Sequence, residues 1–164
     1  MNNDDKKTAT LFGDGATVTL LDDKPVFECG KFVFGSDRCK KEGIIVKEDG
    51  QLYMNGRAVF TFTVRVVPDN IRDMLKKNSF PLERVDYFIL HQGSLHIVNS
   101  IADSLGVSRK RCPFHSAEYG NTVSSSVPMV LSREFNKQEM KVAVLSGFGV
   151  GLSWASTMLY RKQY

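Results

Sequence analysis

A histidine lies where an apolar run meets a helical pattern, and its position fits either chemistry or capping. His91 directly follows Phe88-Ile89-Leu90 and precedes the segment from 94 to 105. The ends of strands in α/β sheets are where ligands usually bind, and an imidazole can both donate and accept a hydrogen bond. Taken alone, however, His91 is explained as simply by a hydrogen-bonded histidine that ends a buried strand.

A second polar residue with chemical potential is Asn121, in the stretch Tyr119-Gly120-Asn121-Thr122. A side-chain amide offers two N–H donors and one carbonyl acceptor. The structural explanation is also good, because Asn or Thr beside a turn glycine commonly caps the first turn of a helix.

A third candidate is the glycine-rich stretch 147–151, with the sequence GFGVG. Glycines let a ligand approach the backbone closely and leave N–H groups free to donate, although they also simply relax a hairpin. The spacing does not fit a dinucleotide-binding fingerprint, because a second strand and not a helix follows it.

Composition bounds the class of protein that could carry these residues. The 164 residues with 42% hydrophobic content predict a single domain spanning 1–164. The net charge of +4 is spread along the chain and predicts no nucleic-acid partner. Apolar runs are too short for a membrane span, and the polar N-terminal stretch has no apolar signal region, so we expect a cytoplasmic protein.

The cysteines agree with that compartment. Cys29, Cys39 and Cys112 are odd in number and lack the spacing of a disulfide framework, which fits a reducing cytosol. Cys112 and His115 have a possible zinc-ligand spacing, but no second pair accompanies them, so we expect no metal site.

The elements that must position these residues alternate between strands and helices. Residues 8–21 predict two β segments around the turn Gly13-Asp14-Gly15, and 22–58 predict an irregular region with short strands near 25–34, 43–47 and 51–54. Apolar spacing predicts a helix over 59–77, kinked near Pro68. A strand over 84–90, helices over 94–105 and 122–136 and a final hairpin complete a mixed α/β layered domain.

Four stretches in this order resemble the C-terminal half of the ketoacyl-acyl-carrier-protein synthase III family, within the thiolase-like superfamily. They are FGDGA, HQGSLHIVNSIADSLG, YGNTVSSSVP and GFGVGLSW. The resemblance covers nearly the whole chain and implies one half of an αβαβα sandwich, with a mixed β-sheet layered with helices. It also implies an exposed apolar face, where the other half of the fold would pack.

The resemblance implies an acyltransferase that performs a decarboxylative Claisen condensation. A cysteine takes an acyl group from acyl-CoA, and a malonyl group on the phosphopantetheine of acyl carrier protein loses carbon dioxide to form an enolate. His91 and Asn121 would donate hydrogen bonds to the enolate oxygen. The backbone N–H of Val150 would stabilise the acyl-cysteine, in a pocket shared with Phe148, Gly149 and Gly151. No cofactor beyond these thioester substrates is implied, and the parent enzyme would be a homodimer.

This sequence also departs from the family pattern. None of its cysteines matches the family nucleophile, so we expect a C-terminal fragment that lacks the cysteine-bearing half and is inactive alone. Where the family often has an arginine for carrier-protein contact, this chain has Ser94 and His96. Arg65 and Arg72, on one face of the predicted 59–77 helix, could supply that contact instead.

Two other functions remain open at this level. The chain could be a non-catalytic, half-length binding module of the same fold. It could also be an independent Cys–His enzyme that uses Cys112 with His91 or His115. Polyketide synthases of the plant type share the Cys, His and Asn set, but the HQGSL and YGNT contexts favour the bacterial type of fatty acid biosynthesis. Within that type, the unusual HQGS and SGFGV variants favour a specialised relative over a housekeeping enzyme.

Overall fold

The computed structural model describes residue 8 and residues 10–38 and 43–162, and its centre is a mixed five-stranded sheet. The sheet contains β1 (Phe27–Cys29), β2 (Val33–Ser36), β5 (Tyr87–Leu90), β6 (Val142–Gly149) and β7 (Ser153–Arg161). Its order is β1-β7-β6-β5, and β2 also pairs with β7. A separate hairpin consists of β3 (Ile44–Val46) and β4 (Leu52–Met54).

The directions in which the strands pair explain why helices connect two of them. β5 and β6 are parallel, whereas β6 and β7 form an antiparallel hairpin. A parallel pair cannot be joined by a tight turn, so the chain passes through two helices between β5 and β6. These are α2 (Leu95–Leu105) and α3 (Ser126–Glu134).

Alternating side chains of β5 are buried in two separate cores, one on each face of the sheet. Phe88 and Leu90 pack in a cluster with residues of α2 and of α1 (Gly56–Lys77), whereas Ile89 packs with Val130 of α3. This period of two is the geometry of a strand. The predicted mixed α/β layered architecture is therefore confirmed.

Helix α1 confirms the helix that the apolar spacing over 59–77 predicts. Its first turn is capped by Asn55, whose side chain accepts a hydrogen bond from the Ala58 N–H at 3.1 Å, so the helix starts three residues earlier than predicted. It runs without interruption through Pro68, which is buried. A proline inside a helix removes one backbone hydrogen bond. Here apolar residues on both sides of it are buried against the sheet, and this packing outweighs the local loss.

The prediction of two β segments over 8–21 is wrong. In this stretch only Phe12 makes a β-bridge, to Asn121, and the described residues from 13 to 21 belong to no strand. Val18 is 97% exposed and Leu21 is 87% exposed. Strand propensity reflects packing against neighbouring strands, and this segment has none within the part of the chain that the structure describes.

The remaining elements agree with the sequence apart from their ends. The predicted strand over 84–90 begins only at Tyr87, because residues 82–84 form a 3₁₀ turn. The predicted helix over 122–136 shortens to α3, preceded by a 3₁₀ turn over Val123–Ser125. Helix α2 ends at Gly106 in a left-handed conformation, as predicted. Among the described residues, no helix has the length and apolar character to cross a membrane.

Candidate active site

A cavity of about 690 Å³ brings together the three sequence features that suggested chemistry. His91 follows β5, Asn121 precedes α3, and Phe148 lies near the end of β6, yet all three line this one cavity. Most of the other lining side chains are apolar, among them Phe12, Ile44, Leu52, Met54, Phe60, Phe62, Ile97 and Val127. A few polar groups in a mostly apolar, concave site are typical of ligand pockets.

His91 is held at the end of β5 by contacts on its backbone and its ring. The backbone N–H of His91 donates to the carbonyl oxygen of Ser146 at 2.9 Å, which extends the pairing with β6. Its Nδ1 lies 2.7 Å from the Ser126 Oγ, and its ring meets the Phe148 ring edge-to-face at 5.2 Å between centroids. The second ring nitrogen, Nε2, takes no part in the contact with Ser126.

Burial changes the charge state of this imidazole. It lowers the pKa of His91 from 6.5 to about 4, and a backbone hydrogen bond involving Val123 opposes that shift only in part. Removing the cation from water is the physical cause, because a desolvated imidazolium is less stable than neutral imidazole. At neutral pH His91 is therefore uncharged and carries one ring proton.

Gln92 fixes the loop that carries His91 and is itself fully buried. Its Nε2 donates to the Leu90 carbonyl at 2.9 Å, and its Oε1 accepts from the His115 N–H at 2.9 Å. A second, longer bond reaches the Pro113 carbonyl. The sequence reasoning missed this role, although a polar residue directly after a buried strand is a signal for it. Gln92 thus joins the strand end to the segment that leads toward Asn121.

Asn121 has its side chain oriented by its own turn. Its Oδ1 accepts the Val123 N–H at 2.9 Å, and the residue is 8% exposed. That contact also identifies the amide oxygen, since a backbone N–H can only donate. The NH₂ group, with its two protons, is then the part of the side chain left to donate elsewhere.

The FGDG stretch supports Asn121 from the other side. The Asn121 N–H donates to the Leu11 carbonyl at 2.8 Å, and the Gly13 N–H donates to the Asn121 carbonyl at 3.1 Å. A Cβ added to Gly13 would lie 1.7 Å from the carbonyl oxygen of Tyr119, and Gly120 has a φ of 76°. Both glycines are therefore needed for this close approach of two backbones. The stretch expected to form a turn at Gly13 instead holds the backbone of Asn121 by two hydrogen bonds.

Val123 and Ser126 connect the asparagine to the histidine, and neither was predicted as a site residue. Val123 has a φ of 53°, which is unusual for a β-branched residue. Its N–H binds the Asn121 side chain, and its carbonyl lies 2.8 Å from the Ser126 Oγ. Ser126 is fully buried and also contacts His91. The run of three serines was the only sequence signal here.

The other predicted site residues are less uniform in their positions. Phe148, Gly149 and Val150 line the cavity, whereas Gly151 lies in the turn between β6 and β7 and is not among the lining residues. His96 also lines the cavity, with its ring stacked 4.7 Å from that of Phe60. The two arginines of α1, Arg65 and Arg72, are exposed and outside the lining, and Arg72 pairs with Asp69 at 3.0 Å.

The described cysteines do not supply a nucleophile for this cavity. Cys112 is buried in the core, and burial raises the pKa of its thiol to about 12. A reactive cysteine needs an accessible thiolate, so the structure speaks against an independent enzyme based on Cys112. Cys29 is exposed on β1, away from the cavity, and Cys39 lies outside the described residues. Within the described ranges, no group of three or more potential ligands is placed to hold a metal ion.

Comparison with known proteins relates this chain to one family. The family model described as "3-Oxoacyl-[acyl-carrier-protein (ACP)] synthase III C terminal" matches residues 75–161. The chain is 35% identical to the β-ketoacyl-[acyl-carrier-protein] synthase III of Lactococcus lactis subsp. cremoris over 177 aligned residues, covering 94% of this chain and 54% of that protein. The chain thus spans about half the length of this relative.

Solved structures agree with the sequence relatives. The β-ketoacyl-[acyl-carrier-protein] synthase III of Thermus thermophilus superposes with a TM-score of 0.84 at 30% identity, covering 100% of this chain and 56% of that one. The priming β-ketosynthase of the R1128 polyketide biosynthetic pathway superposes with a TM-score of 0.77 at 27% identity, covering 96% and 52%. The mixed sheet with its helical layers is therefore a thiolase-like fold.

Proposed function

Since the chain belongs to the 3-oxoacyl-[acyl-carrier-protein] synthase III C-terminal family, we propose that it forms the decarboxylating part of a condensing enzyme's active site. The whole enzyme would join an acyl group from acyl-CoA to a malonyl group on acyl carrier protein. The observation that carries this proposal is the meeting of His91 and Asn121 in one largely apolar cavity, each already held by its neighbours.

In the proposed decarboxylation, the bond between the malonyl carboxylate and the adjacent carbon breaks. Carbon dioxide leaves, and the electron pair moves into an enolate whose oxygen becomes negative. The neutral imidazole of His91 and the NH₂ group of Asn121 would each donate a hydrogen bond to that oxygen. Neutral donors suit this task, because an imidazolium would also attract the malonyl carboxylate and so stabilise the ground state. The low pKa of His91 supports this role.

In the condensation, the enolate carbon attacks the carbonyl carbon of an acyl-cysteine, and the cysteine thiolate leaves. The backbone N–H of Val150 would stabilise the negative oxygen that forms in this step. Its position beside Phe148 at the cavity supports the assignment. The nucleophilic cysteine would come from the half of the fold that this chain does not span. The exposed thiol of Cys29 fits the reducing cytoplasm that we propose as the compartment.

The test is to co-express this chain with the cysteine-bearing half of a family member and measure carbon dioxide release from malonyl-CoA. His91→Ala and Asn121→Ala should each lower the rate by about 10²–10³-fold, the usual effect of losing one such donor. Asn136→Ala is the matched control, since Asn136 is exposed and outside the cavity. Activity unchanged in either site variant would disprove the site assignment.

A second function is favoured by one observation. The cavity is built within this half-length chain alone, so a non-catalytic module that binds a coenzyme A-like ligand has a ready site. Titration calorimetry with coenzyme A and acyl-CoA tests it on the isolated chain. Binding by the isolated chain, together with a reconstituted assembly that releases no carbon dioxide, would favour the module over the enzyme. Contact of a carrier protein with Arg65, Arg72 or His96, and assembly of the parent as a homodimer, remain predictions.

A further inference from the structure

We propose that Ser126 is a positioning residue, whose hydroxyl donates to Nδ1 of His91 and thereby keeps the ring proton on Nε2. This inference rests on the proposed function, because only that function requires an Nε2–H donor in the cavity. The contact that motivates it is the distance of 2.7 Å between the Ser126 Oγ and the His91 Nδ1. Ser126 is fully buried and opens the first turn of α3, so its side chain is held in place.

A serine hydroxyl has one proton, and two acceptors compete for it here. The His91 Nδ1 lies at 2.7 Å and the Val123 carbonyl oxygen at 2.8 Å. If the proton went to Val123, the imidazole would have to carry its own proton on Nδ1 and donate to the serine. A neutral imidazole in that state has only a lone pair on Nε2, and it could not donate to an enolate.

The surroundings favour donation to the histidine. The Val123 carbonyl already accepts the backbone N–H of Ser126, so it is satisfied without the hydroxyl. The Gln92 N–H approaches the Ser126 Oγ at 3.4 Å, a long contact that nevertheless supplies a donor to that oxygen. An oxygen that accepts from Gln92 and donates to His91 leaves each of these buried groups with a partner. A hydroxyl turned to Val123 would give that carbonyl a second donor and would leave the histidine to donate from Nδ1.

The consequence is a fixed chemical identity for the group in the cavity. Nδ1 would be the acceptor and Nε2 the donor, and the ring would be held against Phe148 in one orientation. The partner of the ring nitrogen away from the reaction commonly sets which tautomer a histidine adopts. Ser126 would then act on the reaction through His91, without touching the substrate.

The tautomer can be measured on the chain itself by NMR with ¹⁵N-labelled histidine at neutral pH. His91→Gln identifies which of the signals belongs to His91. We expect the Nε2–H tautomer in the unsubstituted chain and a mixture of both tautomers in Ser126→Ala. Ser125→Ala is the matched control, because its hydroxyl donates to the Gly15 carbonyl on the other side of the turn and should leave the His91 signals unchanged.

An Nδ1–H tautomer in the unsubstituted chain would overturn the proposal even if Ser126→Ala fails to fold. Unchanged His91 signals in a folded Ser126→Ala chain would overturn it as well.

A second measurement separates this proposal from the proposed function. In the reconstituted enzyme, Ser126→Ala should lower malonyl decarboxylation about tenfold, the low end of the loss seen when the hydrogen-bond partner of a metal-binding histidine is removed. Ser126→Cys, which keeps a weak donor, should recover part of the rate. If His91→Ala lowers decarboxylation as expected while Ser126→Ala leaves it unchanged, positioning is refuted and the function stands. If His91→Ala is active but the tautomer shifts as expected, the proposed function fails and the contact between Ser126 and His91 is still established.

Discussion

The neutral state of His91 should make the stability of this chain depend on pH in a way that one substitution removes. In the unfolded chain the imidazole takes up a proton below pH 6.5, whereas in the folded chain it does so only below about pH 4. Between these values the unfolded state binds more protons, so acid favours unfolding. The stabilisation of the folded chain that comes from neutral His91 is fully present above pH 6.5 and is lost as the pH falls to about 4. Below that pH the free energy of unfolding loses nothing further from this residue.

The size of the effect follows from the two pKa values. Applying linkage to a shift from 6.5 to about 4, we expect a loss of about 2 kcal/mol at pH 5 and about 3 kcal/mol at pH 4. This is a large part of the 5–15 kcal/mol that is typical of a folded domain. In His91→Gln the residue cannot be protonated, so its share of the pH dependence disappears.

The measurement is urea unfolding of the unsubstituted chain and of His91→Gln at several pH values from 7.5 to 4. The free energies of unfolding will differ at neutral pH for reasons of packing, so the quantity of interest is how their difference changes with pH. It should move by about 3 kcal/mol in favour of the variant as the pH falls to 4. Other titrating groups cancel, because both chains share them. Parallel curves for the two chains would refute a neutral, partly buried His91.

Further predictions concern Asn121, the glycine that packs against its segment, and the two described cysteines. Asn121→Asp should lower malonyl decarboxylation in the reconstituted enzyme by at least about 10²-fold, because a carboxylate would repel the enolate. Gly13→Ala should destabilise the chain in urea by about 1–3 kcal/mol or more, since its Cβ meets a backbone carbonyl, whereas Gly56→Ala, with open space around it, should not. In the native chain, iodoacetamide should modify exposed Cys29 quickly and buried Cys112 only on unfolding. Equal rates for the two thiols would contradict the burial of Cys112.

The parts of the fold that periodicity describes could be predicted from the sequence. The apolar spacing of α1 and α2 and the buried run of β5 depend on contacts close in the chain, and each element is found where the pattern indicates it. The prediction of two β segments over 8–21 is wrong for the complementary reason. The Thr and Val residues of this stretch favour a strand, but a strand also needs a partner, and local sequence does not contain one.

Within the site, the sequence pointed to His91 and Asn121, which share one cavity, but not to the groups that orient their side chains. His91 and Asn121 stand out because their side chains suit the chemistry and their motifs resemble a family. Ser126 does not stand out, because its role depends on a contact with His91, 35 residues earlier in the chain. Val123 does not stand out either, because it contacts Asn121 and Ser126 through backbone atoms, which its residue type does not indicate. Gly13 illustrates the same limit: its neighbours suggest a turn, whereas the clash that forbids a side chain arises from Tyr119.

The backbone of Val123 shows how such contacts can hold an unfavourable conformation. A left-handed φ of 53° costs an L-residue about 1–2 kcal/mol, and the side chain is 56% exposed, so its own burial offsets little of this. The conformation directs the Val123 N–H to the Asn121 side chain, while the carbonyl lies against Ser126, the serine that contacts His91. The strain is therefore sustained by bonds on both sides of the same residue. This turn contacts the asparagine directly and the histidine through one serine, so the orientations of both side chains depend on a single turn.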